Sequence, residues 1–278
     1  MSPTLAPMRI GFQGEPYSYS DQASSEVFPD DERLGFASFV AAFDALRDAK
    51  VDRLVLPIEN STTGSVLPVL DRLLPGNVYV TGEHLVEVRH ALLAVPGATE
   101  AGLKTVRSHP EALSQAEGFL THHGLMPIPT HDTAGAVRQV AEHRDPTEAA
   151  LAPERAAEPH GLVALRTGVI DRAHNTTRFF VLAPGRQQIP DDADKTTVSF
   201  VTSHHPGALA LALTEFGLRG ANLTRIESRP SEAAWNYRFY VDFRHQPGEA
   251  GLKAVLDPPM ATLADLRVLG TYVAAGLA

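Results

Sequence analysis

The segment Pro57-Ile58-Glu59-Asn60-Ser61-Thr62-Thr63-Gly64-Ser65-Val66 is where the chain first offers groups that could do chemistry, because every position from Glu59 to Ser65 is polar or glycine. An apolar strand, Leu54–Ile58, ends there, and the pattern predicts a helix beginning near Ser65. Backbone amides at a helix start, together with Asn60, Ser61 and Thr62, make a set of donors suited to carboxylate or phosphate groups. A turn capped by its own hydroxyls would need only one or two such residues. A second segment, Asn175-Thr176-Thr177-Arg178-Phe179-Phe180, sets a cation before an aromatic pair and an apolar run. An arginine at a sheet end suits an anionic ligand, although alone the segment also reads as a loop entering a strand. A third, Ser108-His109-Pro110-Glu111-Ala112-Leu113-Ser114-Gln115, is a strand end followed by a helix with proline in its first turn.

Other chemistries are excluded or disfavoured. The chain has no cysteine, which removes thiol nucleophiles, thiolate zinc sites and disulfides. No G-x-S-x-G, Walker A, G-x-G-x-x-G or H-E-x-x-H pattern occurs. The pairs His122-His123 and His204-His205 are adjacent, and neighbouring helical residues point apart, so no metal site is expected.

These groups need a scaffold that brings them together. Arg9–Phe12, Leu54–Ile58, Ala91–Val95 and Thr105–Ser108 read as strands; Ser38–Asp48, Pro110–Leu120 and Ala134–His143 read as helices. Phe39, Ala42, Phe43 and Leu46 share one face of the first helix, with Ser38 as its N-cap. Such alternation argues an α/β architecture with largely parallel sheets, whose ligands sit beyond the carboxyl ends of strands. The polar run Pro184–Lys195 reads as a linker. After it come strand Thr196–Thr202, helix Pro206–Phe216, strands Asn222–Glu227 and Trp235–Phe243, helix Glu249–Leu256 and strand Leu266–Val273. That β-α-β-β-α-β order is a ferredoxin-like plait. A length of 278 residues agrees with about two domains. The formal charge of −9 disfavours nucleic acid as a partner. No apolar run is long enough to span a bilayer, so no membrane partner is expected. Met1–Pro7 lacks the features of a signal peptide, so a cytoplasmic location is expected and the three Asn-x-Ser/Thr matches read as coincidence.

Taken together, the ordered motifs resemble the prephenate dehydratase family with its C-terminal ACT regulatory domain. Gly11-Phe12-Gln13-Gly14 through Ala23 is similar to the family's opening glycine motif, and Pro57–Val66 to its central Pro-Ile-Glu-Asn-Ser motif. Ser108–Gln115, Asp132–Val137 and Asn175–Phe180 match its later motifs in order. Pro206-Gly207-Ala208-Leu209 and Glu227-Ser228-Arg229-Pro230 resemble its phenylalanine-binding motifs. Two departures stand out: Glu111 occupies a position where the family more often has glutamine, and Asp132 replaces a frequent small hydroxyl. No chorismate mutase-like segment precedes residue 8, so a fused mutase activity is not expected.

The resemblance implies a bilobal, periplasmic-binding-protein-like catalytic domain over 8–184, a linker over 185–195 and an ACT domain over 196–273. It implies loss of carbon dioxide and water from prephenate to give phenylpyruvate, without cofactor or metal, since aromatisation drives the reaction. Thr177 is carried over as the group assisting hydroxyl departure, with Glu59 as a partner if burial keeps it protonated. Asn60, Ser61, Thr62 and Gln115 would orient substrate, Arg178 would bind a carboxylate, and Phe179 would wall the site. Gly207, Ala208, Leu209, Asn222, Glu227, Ser228 and Arg229 would hold the effector L-phenylalanine in a homodimer or homotetramer. An arogenate dehydratase and a non-catalytic amino-acid sensor are the alternatives.

Overall fold

Short capped helices and apolar strands of the first part of the chain build one α/β lobe. A computed structural model describes residues 7–75, 77–171, 174–231 and 237–276. The first lobe contains β1 (Arg9–Gln13), α1 (Tyr19–Val27), β2 (Glu32–Phe36), α2 (Phe39–Arg47), β3 (Arg53–Asn60), β4 (Gly64–Ser65), α3 (Leu67–Leu73) and β5 (Val78–Glu87). Ser18 and Ser38 cap α1 and α2 by accepting from the amides of Asp21 and Ala41, satisfying donors the first helical turn leaves open. Helix α2 buries Ala42, Phe43, Ala45 and Leu46 against the sheet.

The second lobe follows with β6 (His90–Ala94), β7 (Thr105–Ser108), α4 (Pro110–Gln115), α5 (Glu117–His122), β8 (Met126–Pro129), α6 (Thr133–His143), β9 (Glu148–Pro153) and β10 (Val163–Thr167). The single helix expected over Pro110–Leu120 is broken at Ala116, whose φ and ψ are −118° and 16°. A new helix start forms there because the Asp171 carboxylate accepts from the amides of Gly118 and Phe119 at 2.7 and 3.1 Å. The chain then returns to the first lobe as β11 (Thr176–Pro184).

The strand orders are β2-β1-β3-β11-β5, with β4 paired to β3, and β10-β6-β9-β7-β8. The sheets are mixed rather than largely parallel, which corrects the sequence expectation. Strand β11 runs antiparallel to both β3 and β5, and β6 antiparallel to β9 and β10. The physical reason is the double crossing: the chain leaves the first lobe after β5 and re-enters along β11. A strand that returns from a neighbouring lobe is not bound by the right-handed crossover that keeps βαβ strands parallel.

The last unit contains β12 (Lys195–Thr202), α7 (Ala208–Leu218), β13 (Asn222–Pro230), β14 (Tyr237–Arg244), α8 (Gly248–Leu256) and β15 (Leu263–Tyr272). Its antiparallel order β13-β14-β12-β15 is that of the ferredoxin-like plait. Trp235, where the third strand of this unit was expected to begin, lies outside the described residues. Strand β12 begins at Lys195, inside the segment read as linker. The plait does not hang free of the first lobe. Tyr240, Leu269 and Tyr272 share one core cluster with Val78, Val80, Phe180 and Leu182. Gly270 permits the approach, because a Cβ there would lie 2.0 Å from the Val80 carbonyl oxygen.

Candidate active site

Between the two lobes lies a cavity of about 520 Å³, with Gln13, Tyr19, Pro57, Asn60, Thr177 and Phe179 on the first-lobe side and His90, His109, Glu111, Gln115 and Asp132 opposite. Ion pairs join the two lobes, Arg138 with Glu15 and Arg155 with Asp21. Asp21 also holds Arg33 at 2.9 Å.

Thr177 pairs in register with Asn60 across β11 and β3, which sets their side chains together. The Asn60 carboxamide has only one workable orientation. Its Oδ1 accepts from the amide and hydroxyl of Thr62 at 2.9 and 2.6 Å and from the Thr63 amide at 3.2 Å. Its Nδ2 must therefore point the other way, donating to Asn175 Oδ1 at 2.6 Å and to Thr177 Oγ1 at 3.0 Å. The Thr177 hydroxyl thus accepts from Asn60, and its own hydrogen has no acceptor among the described residues. That hydrogen is available to a bound molecule in the cavity.

The amide chain continues into the second lobe. Asn175 Nδ2 donates to Gln115 Oε1 at 2.8 Å, and Gln115 Nε2 donates to Thr62 Oγ1 and Glu111 Oε1, each at 3.3 Å. Gln115 Oε1 also meets His90 Nε2 at 3.2 Å, so His90 carries its hydrogen on Nε2. His90 Nδ1 is then the acceptor for the Tyr19 hydroxyl at 3.1 Å. Burial, only partly opposed by the Gln115 hydrogen bond, pushes His90 down to about 4, so it is neutral near pH 7. Burial also raises the Tyr19 phenol above its ordinary value, keeping it protonated. The groups running from Thr177 through Asn60, Asn175 and Gln115 to His90 and Tyr19 therefore form a neutral network linking both lobes, with the Glu111 carboxylate at its edge.

The other face of β11 is ionic. Successive strand side chains point to opposite faces, so Arg178 turns away from the cavity towards the plait. Its guanidinium reaches Asp242 at 2.6 Å, Glu59 at 2.8 Å and Glu83 at 3.0 Å. Lys195 meets Glu83 at 2.9 Å, and Arg225 lies 3.8 Å from Asp242 while donating to Ser65 at 3.1 Å. Burial alone would lower the Arg178 pKa, but the charges of Asp242 and Glu83 reverse this and raise it. Arg178, expected to bind a substrate carboxylate, and Glu59, expected as a proton partner of Thr177, lie in this structure at the junction with the plait and not on the cavity lining.

The remaining expected residues divide. Asn60, Gln115, Thr177 and the buried Phe179 line the cavity. Ser61 and Thr62 brace it: Ser61 Oγ accepts from the Thr176 amide at 3.0 Å, and Thr62 bridges Asn60 to Gln115. In the plait, Gly207, Ala208 and Leu209 border a second cavity of about 680 Å³ with His204, Tyr237 and Phe239. Asn222, Glu227 and Ser228 lie instead on edge strand β13, and Arg229 pairs with Asp71 of α3 at 2.7 Å. Asn175, His90 and Tyr19 carried no assigned role in the sequence reading. The period of two places Asn175 on the face of Thr177 and would have found it. His90 opens an apolar strand, and nothing in its neighbours marks it.

Residues 10–187 match the family model described as prephenate dehydratase. The chain is 38% identical over 280 residues to the Arabidopsis thaliana protein named arogenate dehydratase/prephenate dehydratase 2, chloroplastic, covering 95% of this chain and 72% of that one. It is 36% identical over 269 residues to a bifunctional N-acyl-homoserine lactone acylase/prephenate dehydratase of Komagataeibacter europaeus, covering 95% of each. The structure of a prephenate dehydratase from Arthrobacter aurescens, solved in complex with L-Phe, superposes with a TM-score of 0.86 at 28% identity, covering 95% of this chain and 89% of that one. A family match over most of the chain, with relatives this similar along nearly all of it, means that the chain belongs to the prephenate dehydratase family.

Proposed function

We propose that the chain catalyses the decarboxylating dehydration of prephenate to phenylpyruvate, and that the same steps applied to arogenate would give phenylalanine. The observation that supports this most directly is the Thr177 hydroxyl, held by Asn60 as an acceptor and free to donate into the cavity. In the reaction the bond from the ring to its carboxylate breaks and carbon dioxide leaves. The electron pair shifts through the ring and the carbon–oxygen bond to the 4-hydroxyl breaks. The departing oxygen takes up a proton and leaves as water, and the ring becomes aromatic. A hydrogen bond from Thr177 to that oxygen stabilises charge as it develops, which lowers the barrier without requiring threonine to act as a strong acid. Phe39, Pro57, Val66 and Phe179 give the cavity apolar walls. They favour loss of a charged carboxylate as neutral carbon dioxide, since poor solvation of the carboxylate raises the ground state more than the transition state.

The plait is read as an ACT domain that binds L-phenylalanine beside Gly207, Ala208 and Leu209. Gly207 supports this reading: its φ of 83° at the start of α7 suits glycine and opens the backbone towards the cavity. Asn222, Glu227 and Ser228 would complete the site across a subunit boundary, because exposed edge strand β13 suits pairing in a homodimer or homotetramer. No helix among the described residues is long and apolar enough to cross a membrane. A cytoplasmic location would suit an enzyme acting on small metabolites; the A. thaliana relatives are named chloroplastic.

The test is to supply prephenate and arogenate separately and follow phenylpyruvate and phenylalanine, with and without added phenylalanine. Product from either substrate is expected, altered in rate by phenylalanine. No product from either would favour the amino-acid sensor.

A further inference from the structure

We propose that Glu111 is a specificity residue of the cleft, favouring the substrate whose side chain carries an ammonium over the one that carries a ketone. The inference rests on the dehydratase reading above. The two substrates share the ring, the leaving carboxylate and the leaving hydroxyl. They differ at one position, where prephenate has a keto oxygen and arogenate an ammonium. The former accepts hydrogen bonds only; the latter donates them and adds a positive charge.

The cavity is ready to read that difference. Its described lining contains two carboxylates, Glu111 and Asp132, and neither lysine nor arginine. Asp132 is occupied: one oxygen caps α6 by accepting from the Gly135 amide at 2.6 Å, and the other meets His131 at 3.1 Å. Glu111 is exposed on the cavity wall, and one of its oxygens accepts from Gln115 at 3.3 Å. Its second oxygen has no hydrogen bond to a described residue and is available to a ligand. Gln115 connects through Asn175 and Asn60 to Thr177, so Glu111 sits at the far end of the same network. A ring substrate with its hydroxyl at Thr177 has its side chain at the opposite end, about the length of the ring away.

An anionic acceptor there attracts an ammonium and repels a keto oxygen beside a carboxylate. The discrimination comes from both signs, attraction for one substrate and lone-pair and charge repulsion for the other. It also leaves the departing ring carboxylate without a fixed cation, so that carboxylate is not over-stabilised before it leaves.

The experiment measures kcat/KM for arogenate and for prephenate with the full chain, with Glu111→Gln and with Glu111→Lys. The ratio of the two substrates cancels any disturbance common to both, including a shift of Gln115. Glu111→Gln is expected to lower the arogenate-to-prephenate ratio about tenfold, as loss of a charge-assisted hydrogen bond at an exposed carboxylate requires. Glu111→Lys is expected to lower it further. A fall of less than threefold in Glu111→Gln, or any rise, overturns the assignment of Glu111. Turnover of neither substrate by the unaltered chain overturns the dehydratase reading itself, a separate outcome.

Discussion

The two faces of β11 solve opposite problems one residue apart. Towards the cleft, Thr177 and Asn175 belong to a network of amides, hydroxyls and a neutral imidazole. Towards the plait, Arg178 is set among Glu59, Glu83 and Asp242, with Lys195 and Arg225 completing an arrangement of three cations and three carboxylates. Neutral donors can be aimed at a departing oxygen without binding the substrate's own carboxylates too strongly. Buried charges, by contrast, tolerate no loss of a partner. Chemistry and domain attachment therefore use different physics on a single strand, and each should fail in its own way.

That contrast can be broken by substitutions on either face. Thr177→Ala is expected to lower kcat by about 10²–10³, the usual cost of removing one donor aimed at a developing oxyanion, while urea unfolding stays close to that of the unaltered chain. Near-normal turnover would remove Thr177 from its role. Arg178→Met, one position along, should cost about 3–5 kcal/mol of stability because it takes from buried Asp242 its close cation and leaves Glu83 with Lys195 alone. If denaturant midpoints of that variant match the unaltered chain, the ionic face is not what holds the plait.

A smaller effect distinguishes the faces by pH. His90 is held near 4 when folded, below its ordinary value of 6.5, so between those values the unfolded chain takes up a proton that the folded chain refuses. Its contribution to stability is complete above about pH 6.5 and is lost as pH falls towards 4, amounting to about 3 kcal/mol. His90→Gln should flatten that part of the stability–pH curve; an unchanged slope would contradict a neutral, buried imidazole. Smallest of all, Asp71→Asn at the partly exposed Arg229 pair should change stability by less than about 1 kcal/mol, as measured by thermal unfolding.

Much of the architecture was legible because local patterns agree with the tertiary structure. The plait followed from strand–helix order, and Ser38 acted as the cap its position suggested. The mixed sheets were not legible, since pairing direction depends on where the chain re-enters a lobe and not on any local run. Within the site, residue types pointed to Asn60 and the resemblance to Thr177, whereas the charge of Arg178 suggested the cavity although its parity sets it on the other face of β11. In the run 175–180, alternation alone separates Asn175, Thr177 and Phe179 from Arg178 and Phe180. His90 and Tyr19 could not be read in advance, because their role is made by two lobes meeting.

Gly270 lies where no side chain fits, pressed against the Val80 carbonyl, and Tyr240, Leu269 and Tyr272 fill the surrounding core. For anyone building chimaeras, the consequence is that the segment after Pro184 is not a clean place to cut. A fragment ending there would leave Val80, Phe180 and Leu182 uncovered and Arg178 without Asp242, and it should be recovered in aggregated form. A plait grafted from another relative would need a residue as small as glycine at this one contact before its ligand specificity mattered at all.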